Sequence, residues 1–136
     1  NYARLGVANA EATLHDASVY APKYEAAFDC VIVDAPCSAV GLMASSSDIR
    51  YSRKPEDIAA LAKKQYDILS TCARYVKPGG RLAYFTCSIN REENEEVTQR
   101  FLKENTAYAY IKEPMTICPH ESGSDGFYIA IMKRNE

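Results

Sequence analysis

Two cysteine-serine pairs, Cys37-Ser38 and Cys87-Ser88, stand fifty positions apart, and Asp34 precedes the first thiol by three residues. A thiolate is a potent nucleophile once its pKa is lowered. A nearby carboxylate can bind a cofactor or hold a proton near a reacting base. Taken singly, each thiol fits a small core residue, as free cysteine is commonly buried. Their joint occurrence beside an acid favours chemistry. Pro36 fixes the backbone so that Cys37 is aimed, with turn-making as its plainer role.

The elements that must position these groups alternate between strand and helix. "FDCVIVD", residues 28–34, is near-continuous apolar and predicts a parallel strand covered on both faces. "RLAYFT", residues 81–86, predicts a second central strand running straight into Cys87. Pro55 opens a helix on which Ile58, Leu61, Ala62, Gln65, Ile68, Leu69 and Cys72 share one face. Lys77-Pro78-Gly79-Gly80 ends it with a turn rather than a phosphate cradle. Upstream, Leu5-Gly6-Val7 fits a helix stop, and Ala12-Thr13-Leu14-His15 predicts a short strand ending at Asp16. Residues 38–54 form a long loop, a common home of function. Asn90 and Glu93 have the spacing of a capping box before a helix with Val97, Phe101 and Leu102. Residues 107–113 and 126–133 predict two last strands around the loop "PMTICPHESGSDG". The alternation implies a mostly parallel, doubly wound α/β sheet, with the chemistry at the carboxyl ends of its strands. Three predicted strands end in "HDA", "DAPCS" and "TCS".

The 136 residues suit one domain, and 47% apolar residues supply a core. No stretch is long and charge-free enough for a membrane span, and the first residues lack the pattern of a secretion signal. A net charge of −2 predicts no general affinity for polyanions. Five cysteines without C-x-x-C argue against a disulfide scaffold and for a reducing, cytoplasmic setting. Cys37, Cys87, Cys118 and His120 lack the close ligand pairs of a zinc site, so no metal is expected. Ser38 is no nucleophile elbow, because G-x-S-x-G is absent. Cys30 and Cys72 read as core, and His15 as a satisfied structural histidine. Gln65 reads as a loop cap, and Glu93 and Asn94 as caps of their helix. Arg50, Arg53 and Lys54 fit either phosphate contacts or a solvated loop face. Gly123 to Gly126 fit either a cleft rim or a hairpin turn.

"DAPCSAVG" followed by "TCS" resembles the NOP/Sun family of RNA cytosine-5 methyltransferases. "DIRY", "LAKKQYDIL", "VKPGGRLAYFTCSINREENEEV" and "PHESGSDGFYIAIMKR" resemble the same pattern in order, and the likeness covers essentially the whole chain. It is nearest to the bacterial Sun-type enzymes of small-subunit ribosomal RNA. The resemblance implies a partial Rossmann-like methyltransferase sheet with an antiparallel strand near the C-terminus. It implies S-adenosylmethionine as cofactor and RNA, 16S ribosomal RNA by this likeness, as partner. Carbon 5 of cytosine is a poor nucleophile. Thiolate attack on carbon 6 makes carbon 5 enamine-like and able to accept a methyl group. By resemblance, Cys87 is that nucleophile, and Cys37 helps remove the carbon 5 proton and release the enzyme. Asp34 contacts the cytosine ring and lies close to the cofactor, Asp16 contacts the cofactor, and the Pro36 carbonyl receives the cytosine amino group. The target base must leave its stack to reach such a pocket.

The family's glycine-rich cofactor loop is expected before residue 1. The chain is therefore expected to be the C-terminal catalytic part of a longer methyltransferase domain, binding the cofactor weakly and not turning over in isolation. The competing expectation is a non-catalytic RNA-binding or assembly module that keeps the motifs as relics. A third is a thiol enzyme acting on a small molecule.

Overall fold

The computed structural model describes residues 2–52 and 54–136. Its strands are β1 (Phe28–Asp34), β2 (Val76–Thr86), β3 (Tyr108–Tyr110), β4 (Met115–Ile117) and β5 (Phe127–Arg134). Its α-helices are α1 (Ile49–Ser52), α2 (Pro55–Ala73), α3 (Glu95–Glu104) and α4 (Pro119–Ser122). Sheet order is β1-β2-β5-β3, with β4 also pairing β5. β1 and β2 are parallel, and β5 is antiparallel to β2, β3 and β4. All strands but β5 therefore point the same way, as expected of this α/β sheet.

α2 begins as its sequence dictates. Pro55 takes the first position, Glu56 and Asp57 lie in the first turn, and Asp57 Oδ2 accepts the Lys54 N–H at 3.0 Å. Gln65, Ile68, Leu69 and Ala73 are its buried stripe. α3 buries Val97, Thr98 and Phe101. The core joins these helices to Val33, Leu82, Tyr84, Tyr128, Ala130 and Met132. Each fully buried large side chain contributes roughly 1.5–3 kcal/mol by leaving water.

Several expectations are corrected. β1 is covered on one face only: Val33 is buried, whereas Cys30 is exposed and Ile32 is 64% exposed. Cys30 is thus not a core residue. Residues 12–16 form no strand, and Leu14 is fully exposed. A strand needs a hydrogen-bonded neighbour, and β1 pairs only with β2 among the described residues. Residues 77–80 belong to β2 but bulge from it. Phe28 pairs with Val76 and Cys30 with Arg81, so the extra chain is looped out around Gly79 at φ +75°. The predicted loop 114–126 contains β4 and α4. Gly6, at φ +66°, caps a short 3₁₀ turn, as its spacing predicts.

No helix among the described residues is long and apolar enough to cross a membrane.

Candidate active site

β1 and β2 run side by side in register to Asp34 opposite Phe85, and the Ala35 N–H donates to the Phe85 carbonyl at 3.1 Å. Both strands therefore release their chains at the same edge. Cys37 and Cys87 emerge there half-buried, with their sulfurs 3.1 Å apart. Parallel pairing brings the two loops, fifty positions apart in sequence, to one edge.

A buried carboxylate fixes both thiol loops. Glu93 is fully buried. It accepts the Ser38 N–H at 2.7 Å, the Ser38 hydroxyl at 2.5 Å and the Ser88 hydroxyl at 2.6 Å. Gln65 Nε2 donates to Glu93 at 3.0 Å and to the Pro36 carbonyl at 2.9 Å. Burial alone would raise the Glu93 pKa. The hydrogen bonds from Ser38, Ser88 and Gln65 outweigh it and hold the carboxyl below its usual range. The next residue continues the bracing: Asn94 accepts from Thr86 Oγ1 at 2.6 Å and donates to the Ser88 carbonyl at 2.9 Å. Ala39, just beyond Ser38, is held in the left-handed region at φ +60°, where a non-glycine residue costs about 1–2 kcal/mol.

Glu93 corrects the capping-box expectation. Its strongest partners are the two serines that follow the two thiols. Each thiol carries its own Ser, and Gln65 is the polar residue on an apolar stripe. Those were the signals that a common buried acceptor exists.

A second brace lies at Gly41. Its N–H donates to the Cys87 carbonyl at 3.1 Å, and its own carbonyl accepts the Gly126 N–H at 2.8 Å. A Cβ at Gly41 would collide with the Gly126 carbonyl and lie 2.8 Å from the Cys87 carbonyl. Between the cleft rim and the hairpin turn left open for this glycine segment, Gly126 touches the wall of the thiol site.

The thiols differ in environment. Burial, reinforced by the contact with Cys87, pushes the Cys37 thiol up to about 12. Cys37 therefore keeps its proton at neutral pH. Asp34 ends β1 on the exposed side of the strand. Asp16 lies in a turn instead of at a strand end. Ser18 donates to its Oδ1 through its hydroxyl at 2.7 Å and its N–H at 2.9 Å, and these bonds hold the carboxyl below its usual range. His15 meets the Val19 carbonyl at 2.7 Å within the same turn, though it is exposed. Asp16 and Pro36 line one open cleft of ≈ 650 Å³ with Lys64 and Ile68. The structure thus unites Cys37 with Cys87 at the sheet edge, and Asp16 with Pro36 in one cleft. Among the described residues no three His, Cys, Asp or Glu side chains converge as metal ligands.

The family model of the 16S rRNA methyltransferases RsmB/F matches residues 1–133. The chain belongs to the RsmB/F methyltransferase family. It is 35% identical to the probable ribosomal RNA small subunit methyltransferase B of Bacillus subtilis, over 96% of this chain and 33% of the relative. It is 29% identical to the ribosomal RNA small subunit methyltransferase F of Aliivibrio fischeri, over 99% of this chain and 32% of the relative. The chain therefore spans about a third of the length of these curated RsmB/F relatives. Among solved structures it superposes on PH0851 with a TM-score of 0.93 at 29% identity, covering 98% of this chain and 33% of that one. NSun6 from Pyrococcus horikoshii, solved with SFG, gives 0.81 at 23% identity, covering 99% and 37%. The RsmB/F fold is thus a mixed Rossmann-like sheet, and the thiol pair lies at the strand edge expected to carry chemistry.

Proposed function

We infer that this chain carries the catalytic thiols of an enzyme that methylates carbon 5 of a cytosine in RNA, with small-subunit ribosomal RNA as substrate. One observation carries the reading: two cysteine sulfurs 3.1 Å apart at the ends of adjoining parallel strands, in a chain of this methyltransferase family.

S-Adenosylmethionine supplies the methyl group. The cleft bearing Asp16 and Pro36 fits part of such a cofactor. The Asp16 carboxylate takes both Ser18 bonds on Oδ1, which leaves Oδ2 to accept from a hydroxyl or amine. Cys87, as thiolate, bonds to carbon 6 of the flipped cytosine. Asp34 steadies the ring, and carbon 5 receives the methyl group. Cys37 then gives its own proton to solvent and, as thiolate, takes the proton from carbon 5. The carbon–sulfur bond then breaks, the ring double bond returns, and Cys87 leaves as thiolate. A Cys37 thiol that keeps its proton in the free protein suits a group that must not compete as nucleophile. The Pro36 carbonyl accepts from Gln65 with one lone pair and offers the other to the cytosine amino group. In this reading residues 1–136 hold the catalytic part of a larger domain, and the segment alone binds the cofactor weakly.

RNA containing 5-fluorocytosine tests the mechanism, because fluorine at carbon 5 blocks release of Cys87. The full-length enzyme is expected to yield a covalent complex that Cys87→Ser abolishes. On ordinary RNA, Cys37→Ser is expected to accumulate the covalent complex. A Cys37→Ser enzyme that releases RNA normally would overturn this division of labour.

A further inference from the structure

A second hollow adjoins the thiol site and has no part in the proposed chemistry. Its volume is ≈ 320 Å³, and Val40, Met43, Ile49, Ile58 and Ile89 make its walls apolar. The walls continue both thiol loops: Val40 follows Cys37-Ser38-Ala39, and Ile89 and Asn90 follow Cys87-Ser88 directly. Asn90 is tied to the same frame, its N–H donating to Ser88 Oγ at 3.1 Å and its Nδ2 to Glu93 Oε2 at 3.3 Å. Whatever sits here is held in fixed relation to Cys87.

The rim carries Arg50 from α1 and Lys54 from the start of α2, both exposed. Neither forms an ion pair among the described residues. In a chain of net charge −2, two such cations beside an apolar hollow are a local departure from the whole. Arg53, read with them from the sequence, lies outside the described residues. An apolar wall takes the face of a base, and a guanidinium and an ammonium take phosphate oxygens. A purely apolar partner segment would leave both cations without a counter-charge.

We propose that this hollow binds the nucleotide next to the target cytosine, its base against Met43 and Ile89 and its phosphate between Arg50 and Lys54. The proposal rests on the RNA-methylation reading and adds to it a substrate contact outside the reacting base. Holding the neighbour apart from the target would unstack the pair and stabilise the flipped base.

The test uses the full-length enzyme with S-adenosylmethionine and short single-stranded RNAs carrying 5-fluorocytosine. The base on either side of the target is present or deleted. Arg50→Ala/Lys54→Ala is compared with the wild type, since both side chains are exposed and their loss spares the core. The expected result is a covalent complex with the wild type, an RNA affinity about tenfold lower for the double variant, and a salt slope shallower by about 1. One abasic flank, and not the other, is expected to weaken wild-type binding severalfold. A covalent complex with an affinity indifferent to both changes overturns the hollow and leaves the methylation reading standing. No covalent complex, with affinity still sensitive to the flank and to the cations, keeps the hollow and overturns the methylation reading. Loss of both overturns both.

Discussion

The thiol edge of the sheet and residues 2–27 are built on opposite terms. At the thiol edge, two loops are fastened to one buried carboxylate, and nearly every polar atom is paired inside the cluster. Among the described residues, the N-terminal segment is fastened to the rest of the chain through its far end. Ala21 N–H donates to the Tyr75 hydroxyl at 2.8 Å, Thr71 Oγ1 to the Ser18 carbonyl at 3.2 Å, and Tyr20 stacks on Tyr75 at 6.0 Å. Asp16 is bonded within its own turn and is exposed. The thiol half of the proposed site is preorganised by this chain. The Asp16 half is shaped locally and lightly held. Preorganisation matters most where bonds form, because misplacement there costs rate directly.

The sharpest way to break this contrast is at Cys87. Cys87→Ser is expected to lower single-turnover methylation at least about a thousandfold with folding intact, as measured by rapid quench and circular dichroism. Glu93→Ala comes next. It leaves Ser38, Ser88 and Gln65 without their acceptor and is expected to cost about 3 kcal/mol in urea unfolding. The pH dependence has a fixed sign. The Glu93 carboxyl is depressed in the folded protein, so its contribution is present above its ordinary value of 4.5 and is lost as pH falls through the lower folded value. In the wild type, acid is therefore expected to loosen the thiol loops, and Glu93→Gln is expected to flatten that acid limb. Gly41→Ala drives a Cβ against the Cys87 and Gly126 carbonyls, with an expected loss of about 2 kcal/mol and a further fall in rate. Alkylation sharpens the comparison of the thiols: at pH 8 iodoacetamide is expected to spare Cys37, which ionises near 12, while exposed Cys30 reacts first by mass spectrometry. At the bottom of the scale, Lys77→Ala removes an exposed pair with Asp29 and is expected to leave the melting temperature unchanged.

What was legible in the sequence was local or repeated. β1, β2, α2 and α3 follow from apolar periodicity and from Pro55, and the two thiols follow from strand ends that must share an edge once the strands are parallel. What was not legible depended on distant partners. Glu93 has the spacing of a helix cap, and only the arrival of Ser38 from 55 residues away makes it a hub. Residues 12–16 have the composition of a strand, but strand formation depends on a neighbour that composition does not reveal. For the same reason β1, apolar throughout its middle, reads as covered on both faces when one is open. The glycines at 41 and 126 look like turn makers one at a time, and their close approach exists only in three dimensions.

The looped-out residues between Val76 and Arg81 give β2 an expansion joint. Pairing with β1 starts afresh at Arg81 opposite Cys30, so a residue gained or lost within 77–80 is absorbed before the ladder resumes. The five-residue run from Arg81 to Phe85 has no such slack: one residue inserted there would turn every following side chain to the opposite face and carry the Cys87 sulfur away from Cys37. Length variation among natural sequences of this domain is thus expected within 77–80 and not within 81–85, which an alignment of the family checks.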